Sequence, residues 1–333
     1  MAKYSHRERL QMILAGEKPD RFAASFWRHF FHKEHDVHST AEIMLAFQKE
    51  FDWDFMKINP RADYHTQDWG VKLEYSRNEY RKHNKSNFPV KDPEDWLKIK
   101  AHDPISPVLA EHLKMVALIR KNADRELPLL MTVFTPLAIA GRLVEDPRVL
   151  VEHICTAPEM VEKALRAISD TFKPFIAELR NAGADGIFYA TLQWASADML
   201  TWKEYERFGL PYDLEVISAS ENDALNLLHV CHSRNYLEHL HQHHYPCRIY
   251  NWDSLHETNL SLEAAYDNIK GKVFVGGVEE NGWLQLDRDT VRDKISRLLK
   301  LHDPHRLIIG PGCCIPPETP FENLKIIREK ING

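Results

Sequence analysis

Apolar residues along this chain follow two alternating rhythms. Short unbroken apolar runs read as strands buried on both faces, and the stretches between them repeat apolar positions every three or four residues, as helices do. The first helical stretch covers 5–15, with Leu10, Ile13 and Leu14 on one face, Ser5 as its cap and Glu8 completing a capping box. A short run at 23–27 predicts the first strand. A polar, histidine-rich segment follows at 28–38, Ser39 caps a helix to 51, and 55–58 is the second strand. From 59 to 107 the pattern is aromatic, charged and irregular, which predicts an insertion or lid, and helical spacing resumes near Val108.

Beyond that point the alternation is regular. Strands are predicted at 129–134, 186–189, 225–230, 249–252, 273–275 and 307–309, with the Gly183-Ala184-Asp185 turn leading into the fourth of the eight. Helices are predicted at 158–181, 203–220, 235–242, 262–269 and 290–301, with a last one running to 331. Thr319 before Pro320, with Glu322 three residues on, predicts the cap, first turn and capping box of that last helix. Eight strands separated by helices predict an α/β fold, a (β/α)8 TIM barrel with an N-terminal helical extension. The whole of 1–333 reads as one domain carrying the 59–107 insertion.

The bulk numbers fit a barrel and remove several functions. At 333 residues, 44% hydrophobic and 28% charged, the chain supplies a large core, and a net charge of −6 offers no basic surface for nucleic acid or an anionic membrane. No apolar run reaches the roughly 18 residues of a membrane helix. The start, MAKYSHRERL, passes from charge straight into a helix without a secretory signal, so a cytoplasmic protein is expected. Five cysteines are too few for a disulfide framework, so reduced thiols that bind metal or do chemistry are expected there. The 19 histidines are scattered, and most read as surface residues. Neither G-x-G-x-x-G after a strand nor G-x-x-x-x-G-K-[ST] occurs, which removes the usual phosphate cradles.

Candidate chemistry gathers at strand ends, where a parallel α/β fold builds its active face. The fifth strand ends in His229-Val230-Cys231, and a period of two points the imidazole and the thiol to one side, where burial requires both to be satisfied. The loop after the eighth strand carries Cys313 and Cys314. One histidine nitrogen and two thiolates suit zinc, with a fourth position left open as in catalytic sites, although buried packing residues satisfy the same spacing. Cys314 competes with Cys313 for that role, while Cys155 and Cys247 read as packing residues. Asp253 is a candidate fourth ligand or proton acceptor, or else a turn cap. Glu279 and Glu280 could line the same barrel mouth, but read first as a solvated acidic pair. Lys57 is a candidate partner for an anionic group, and Asp54 beside it reads as turn chemistry. Tyr189 and Gln193 are candidates to contact substrate or to pack. The aromatics of 64–80 suit a lid over a planar macrocycle as well as ordinary packing.

Six stretches, HRERLQMILAGEKPDR, FDWDFMKINPRADYHTQDWG, AGADGIFYA, IYNWDS, KVFVGGVEE and above all GPGCCIPPETPFENLKII, resemble the uroporphyrinogen decarboxylase family. The resemblance implies a barrel with its active site at the carboxyl ends of the strands. In the decarboxylases of the family the last strand leads into glycine-histidine-glycine, and an arginine-rich N-terminal segment holds the substrate's carboxylates. Here Cys313 stands at the histidine's place. Arg28 is the one arginine in the segment that follows the first strand, a candidate substrate contact that alone is too little to neutralise eight carboxylates. The corrinoid-dependent methyltransferase branch, methylcobamide:coenzyme M methyltransferases among them, uses H-x-C and a distant Cys to hold zinc, a pattern matched at His229, Cys231 and Cys313. The residues after Cys231, HSRN, depart from the small glycine-containing turn of that branch. The resemblance therefore implies Zn²⁺ and a corrinoid on a carrier protein. The methyl group would move to or from a small thiol, methoxy or methylamine-type molecule, with no nucleic acid or membrane partner, and a homodimer is admitted. Porphyrinogen decarboxylation and a non-catalytic corrinoid- or tetrapyrrole-binding role are the rival readings.

Overall fold

The computed structural model describes residues 3–220 and 225–333; Met1 and Ala2, which open the charged amino-terminal stretch, lie outside the described residues. Its strands are β1 (Ala23–Ala24), β2 (Met56–Ile58), β3 (Lys72–Glu74), β4 (Asn84–Ser86), β5 (Leu129–Phe134), β6 (Gly186–Ala190), β7 (Leu227–Val230), β8 (Ile249–Trp252), β9 (Val273–Val278) and β10 (Leu307–Pro311). Eight of them form one sheet in the order β1-β10-β9-β8-β7-β6-β5-β2, every pair parallel. The two ends of that order meet. The Asp54 amide donates to the Ala24 carbonyl at 2.8 Å, and the Ser25 hydroxyl donates to the Phe55 carbonyl at 2.8 Å, so the sheet curls shut into a (β/α)8 barrel. The remaining strands, β3 and β4, pair as an antiparallel hairpin within the 59–107 segment.

The apolar runs are unbroken because both faces of each strand are buried. Leu130, Phe188, Leu227, Ile249, Val275 and Ile308 fill the barrel interior, where Leu10 and Ile13 of the first helix (His6–Leu14) join them. The alternate positions, among them Met131, Tyr189, Leu228 and Tyr250, pack outward under the helices. Capping follows the expected chemistry at Ser5, whose hydroxyl and Glu8 form the capping box.

Several expectations are corrected. The first strand stops at Ala24, because the Trp27 carbonyl accepts from the Ile315 amide of the C-terminal loop instead of continuing the ladder. Asp36 rather than Ser39 caps the second helix (Val37–Phe51), accepting from the Ser39 amide at 2.7 Å. The Thr319 hydroxyl accepts from Gln285, so the last helix (Phe321–Asn332) starts after Pro320 with no side-chain cap. The single helix expected at 203–220 is two, Trp202–Phe208 and Leu210–Ile217. Pro211 has no amide to donate backward, and a Cβ at Gly209 would stand 2.7 Å from the Tyr205 ring. Two helices, Pro136–Ala140 and Pro147–Thr156, went unread although each opens with proline behind a capping residue, Thr135 or Asp146. In the 59–107 segment Tyr64 and Trp96 are buried core, while Tyr75 and Tyr80 are exposed.

Asp54 is no turn residue. Its buried carboxylate takes Arg9 at 2.7 Å, Arg21 at 2.8 Å, His6 at 3.1 Å and Arg328 at 3.4 Å, and accepts the Ala24 amide at 2.8 Å. It thereby ties the first helix, β1, the turn into β2 and the last helix together at the point where the barrel closes. Burial alone would raise its pKa, but the bonds from His6 and Arg21 and the charges of Arg21 and Arg328 hold it well below the usual carboxylate range. Its contribution is therefore complete above the ordinary aspartate value of ~3.9 and is lost as pH falls toward the folded value. His6 runs the other way. Burial lowers it, but Asp52 and Asp54 together raise it to about 9, so its contribution is complete below ~6.5 and is lost as pH rises. Asp54→Asn is expected to cost ~3–5 kcal/mol in a urea titration, because three arginines lose their shared counter-charge. His6→Gln is expected to flatten the decline in stability between about pH 6.5 and about pH 9; equal declines in both proteins would remove His6 as its source.

Candidate metal centre

The end of β7 carries His229 inward and Val230 outward, and Cys231 follows one residue beyond the strand. Across the barrel mouth, β10 ends at Pro311, and the chain turns through Gly312 to Cys313. Glycine is required there, since a Cβ would stand 2.7 Å from the Asp253 Cα. The Gly312 amide donates to the Glu280 carboxylate at 3.0 Å, which fixes the turn. Cys231 Sγ and Cys313 Sγ then lie 3.8 Å apart, and Cys313 Sγ lies 3.7 Å from His229 Nε2. All three donor atoms fall within 4.8 Å of one another.

Asn251 decides which nitrogen of His229 faces the sulfurs. Its amide donates to the Val275 and Pro311 carbonyls, both at 2.9 Å, which leaves Oδ1 to accept from His229 Nδ1 at 2.6 Å. The proton is thereby assigned to Nδ1 and the Nε2 lone pair points at the thiols. Burial disfavours the imidazolium, but the bond to Cys313 and its charge outweigh it and raise His229. The neighbouring thiol differs: its hydrogen bond with Cys313, and then burial, push Cys314 far up, so it keeps its proton. Of the two adjacent cysteines, Cys313 is the one in the triad.

The donor set fits zinc. Bonds of ~2.3 Å to sulfur and ~2.0 Å to nitrogen in a tetrahedron separate two sulfurs by about 3.8 Å and a sulfur from a nitrogen by about 3.5 Å. The Cys231–Cys313 and Cys313–His229 separations of 3.8 and 3.7 Å are close to those values, and all three donor atoms lie within 4.8 Å of one another.

The triad lines a cavity of about 160 Å³ at the barrel mouth. Trp27, Phe134 and Phe188 form apolar walls, and Lys57, Asn59, His29 and His65 supply polar atoms. Lys57 is buried with its ammonium 4.5 Å from the Phe188 ring centre, bonded to Asn59. Burial lowers its pKa against the opposing charges of Cys314 and Cys313. The other expected contacts lie elsewhere. Arg28 is buried outside the cavity wall, paired with Glu79 at 2.6 Å and stacked on Phe30. Tyr189 points out of the barrel and donates to the Asp213 carbonyl at 3.1 Å, because the inward positions of β6 are Phe188 and Ala190. Gln193 is half-buried beside the lining residue Leu192 but does not itself line the cavity. Asp253 Oδ1 accepts the Leu255 and His256 amides as a turn cap, and its oxygens lie outside the triad. Glu280, expected in solvent, is buried, and burial raises its carboxyl to about 7 in spite of the Gly312 amide.

Asn251, His29 and His65 were missed. For Asn251 the signal was available: an amide inside the apolar run 249–252 has the same need for a buried partner that singled out His229.

Comparison with known proteins agrees with this architecture. Methylcobamide:CoM methyltransferase MtbA of Methanosarcina mazei is 24% identical over 242 residues, 72% of this chain and 68% of that protein. A solved methyltransferase from Methanosarcina mazei superposes with a TM-score of 0.79 at 17% identity, covering 99% of both chains. A B12-independent methionine synthase from Shewanella sp. W3-18-1 superposes at 0.57 and 13% identity, covering 93% of this chain and 96% of that one. These structural likenesses establish the barrel. Residues 8–333 match the family model for Uroporphyrinogen decarboxylase (URO-D), and the chain belongs to that family.

Proposed function

We propose that this protein is a zinc-dependent methyltransferase that moves a methyl group between a corrinoid on a carrier protein and a small thiol, methoxy or methylamine-type substrate. The observation that carries the reading is the convergence of His229 Nε2, Cys231 Sγ and Cys313 Sγ beside a cavity. Likeness to MtbA, named as a methylcobamide:CoM methyltransferase, supports the same reaction class. Thiolate ligands must stay reduced, which suits a cytoplasmic setting, and the cysteines are free.

Each residue has a physical task. His229, Cys231 and Cys313 would hold the ion, and Asn251 keeps the His229 proton on Nδ1 so that Nε2 can bind. Zinc held there supplies an activated thiolate, from a thiol with an ordinary pKa of ~8.5, or Lewis acidity toward a methylated heteroatom. Trp27, Phe134 and Phe188 keep water from the reacting heteroatom, and the buried Lys57 ammonium favours negative charge nearby. Decarboxylation of a porphyrinogen is the poorer fit, because the cavity of about 160 Å³ is smaller than the ~300–1,000 Å³ typical for ligands far smaller than a tetrapyrrole, and Arg28 is engaged by Glu79.

Two outcomes test this. Purified protein is expected to carry about one zinc per chain, and Cys313→Ala and His229→Ala to lose it together with more than about 100-fold of methyl-transfer rate; full zinc content in both variants would defeat the assignment. Asn251→Leu, which removes the partner of Nδ1 together with the bonds to the Val275 and Pro311 carbonyls but none of the three donor atoms, is expected to weaken zinc about 10- to 100-fold in a chelator competition, while Cys314→Ala leaves it unchanged.

A further inference from the structure

A second cluster, with Glu34 and His83 buried and His29 half-buried, opens onto the same cavity. His29 Nδ1 lies 2.6 Å from Glu34 Oε1, and the His29 ring stacks on Phe31 at 5.0 Å with the planes 4° apart. Glu34 is itself fixed on two further sides: Oε2 accepts the Ala62 amide at 2.8 Å and lies 3.3 Å from His83 Nε2. The Ser76 amide donates to His83 Nδ1 at 3.1 Å, so the proton of His83 is turned toward Glu34. Burial would raise the Glu34 carboxyl, but His29 and His83 hold it well below the usual range, so it stays charged. With Nδ1 committed to that carboxylate, Nε2 is the nitrogen of His29 left for a ligand, in a cavity shared with Cys231 and Cys313. This is the arrangement in which a fixed carboxylate orients an imidazole and stabilises it once it takes a proton.

We propose that His29 is a catalytic residue of this cavity. Its Nε2 holds the proton that the substrate heteroatom loses on taking a methyl group and regains on giving one up, with Glu34 as its positioning residue. The inference rests on the methyltransferase reading above. For a thiol acceptor the S–H bond breaks and its proton goes to Nε2. The S–CH₃ bond forms from the sulfur electron pair, and the methyl leaves the corrinoid carrier with its former bonding pair staying on the carrier. The reverse direction returns the same proton to the leaving heteroatom. Glu34, Lys57 and Cys314 are the charged or titratable groups that act on His29, and His83 reaches it through Glu34.

Calorimetric titration of the zinc-loaded protein with 2-mercaptoethanol, in buffers of different ionisation enthalpy, counts the protons released to solvent per thiol bound. Burial disfavours the His29 imidazolium, but Glu34 outweighs it and raises the ring above its ordinary value, so the count should fall below one in the unaltered protein on the alkaline side of that raised value, where the ring is neutral before the thiol binds, and stay near one in His29→Gln. Glu34→Gln should move the count toward one and shift the pH at which it dips, which loss of packing alone does not do. It provides the same reading should His29→Gln fail to fold. Methyl transfer should fall by ~10²–10⁴ in His29→Gln with zinc content unchanged. Equal proton counts in unaltered protein and variant overturn the role of His29 alone; failure of the unaltered protein to bind the thiol in a zinc-dependent way overturns the underlying methyltransferase reading instead.

Discussion

One side chain, Asn251, ties the chemistry of this barrel to its fold. From β8 it donates to carbonyls of β9 and β10 and accepts from His229 on β7, so four consecutive strands meet at a single amide. An amide buried inside a barrel must fill its hydrogen-bonding capacity within the protein, since each missing partner costs about 1–3 kcal/mol. That demand fixes the orientation of Asn251, which fixes the tautomer of His229, which leaves Nε2 aimed at two sulfurs. The triad is thereby preorganised by the same bonds that hold neighbouring strands in register.

The scaffold was legible because its signal is carried by many residues at once. Strands such as Leu129–Phe134 and Ile249–Trp252, and the helix Pro158–Asn181, are long or strongly patterned, and their bounds agree with the reading from the sequence. Where a single tertiary contact decides, the sequence reading failed. Trp27 leaves the sheet because Ile315 claims its carbonyl, and Thr319 turns from its helix because Gln285 claims its hydroxyl. Neither partner is near in sequence, so no local pattern could reveal the choice.

The site divides in the same way. His229, Cys231 and Cys313 were found because chemistry of that kind at strand ends is rare, and period two puts His229 and Cys231 on one side. Tyr189 failed on that very rule: its neighbours Phe188 and Ala190 face inward, so Tyr189 had to face out. Glu34 lay hidden in a charged, histidine-rich segment whose ordinary meaning is a solvated loop. Its burial follows from the 59–107 segment, which brings His83 and Ala62 against it. What read as a lid is thus also the outer wall of the cavity.

The arrangement of the donors argues for a cation more strongly than the residue types alone. Two sulfurs 3.8 Å apart, with an imidazole lone pair 3.7 Å from one of them, converge three electron-rich atoms in a poorly solvated place. If both thiols ionised, like charges at that distance would repel by several kcal/mol at an effective dielectric of ~20. If both stayed protonated, Asn251 would be spending its buried amide on orienting a nitrogen toward weak donors. Lys57 lies near, but its ammonium is bonded to Asn59 and faces the Phe188 ring, so the charge it offers the sulfurs is not a ligand's. A divalent ion held there would resolve the conflict by turning mutual repulsion into shared attraction, and the side of the triad facing the cavity would then be the direction of approach for a substrate heteroatom.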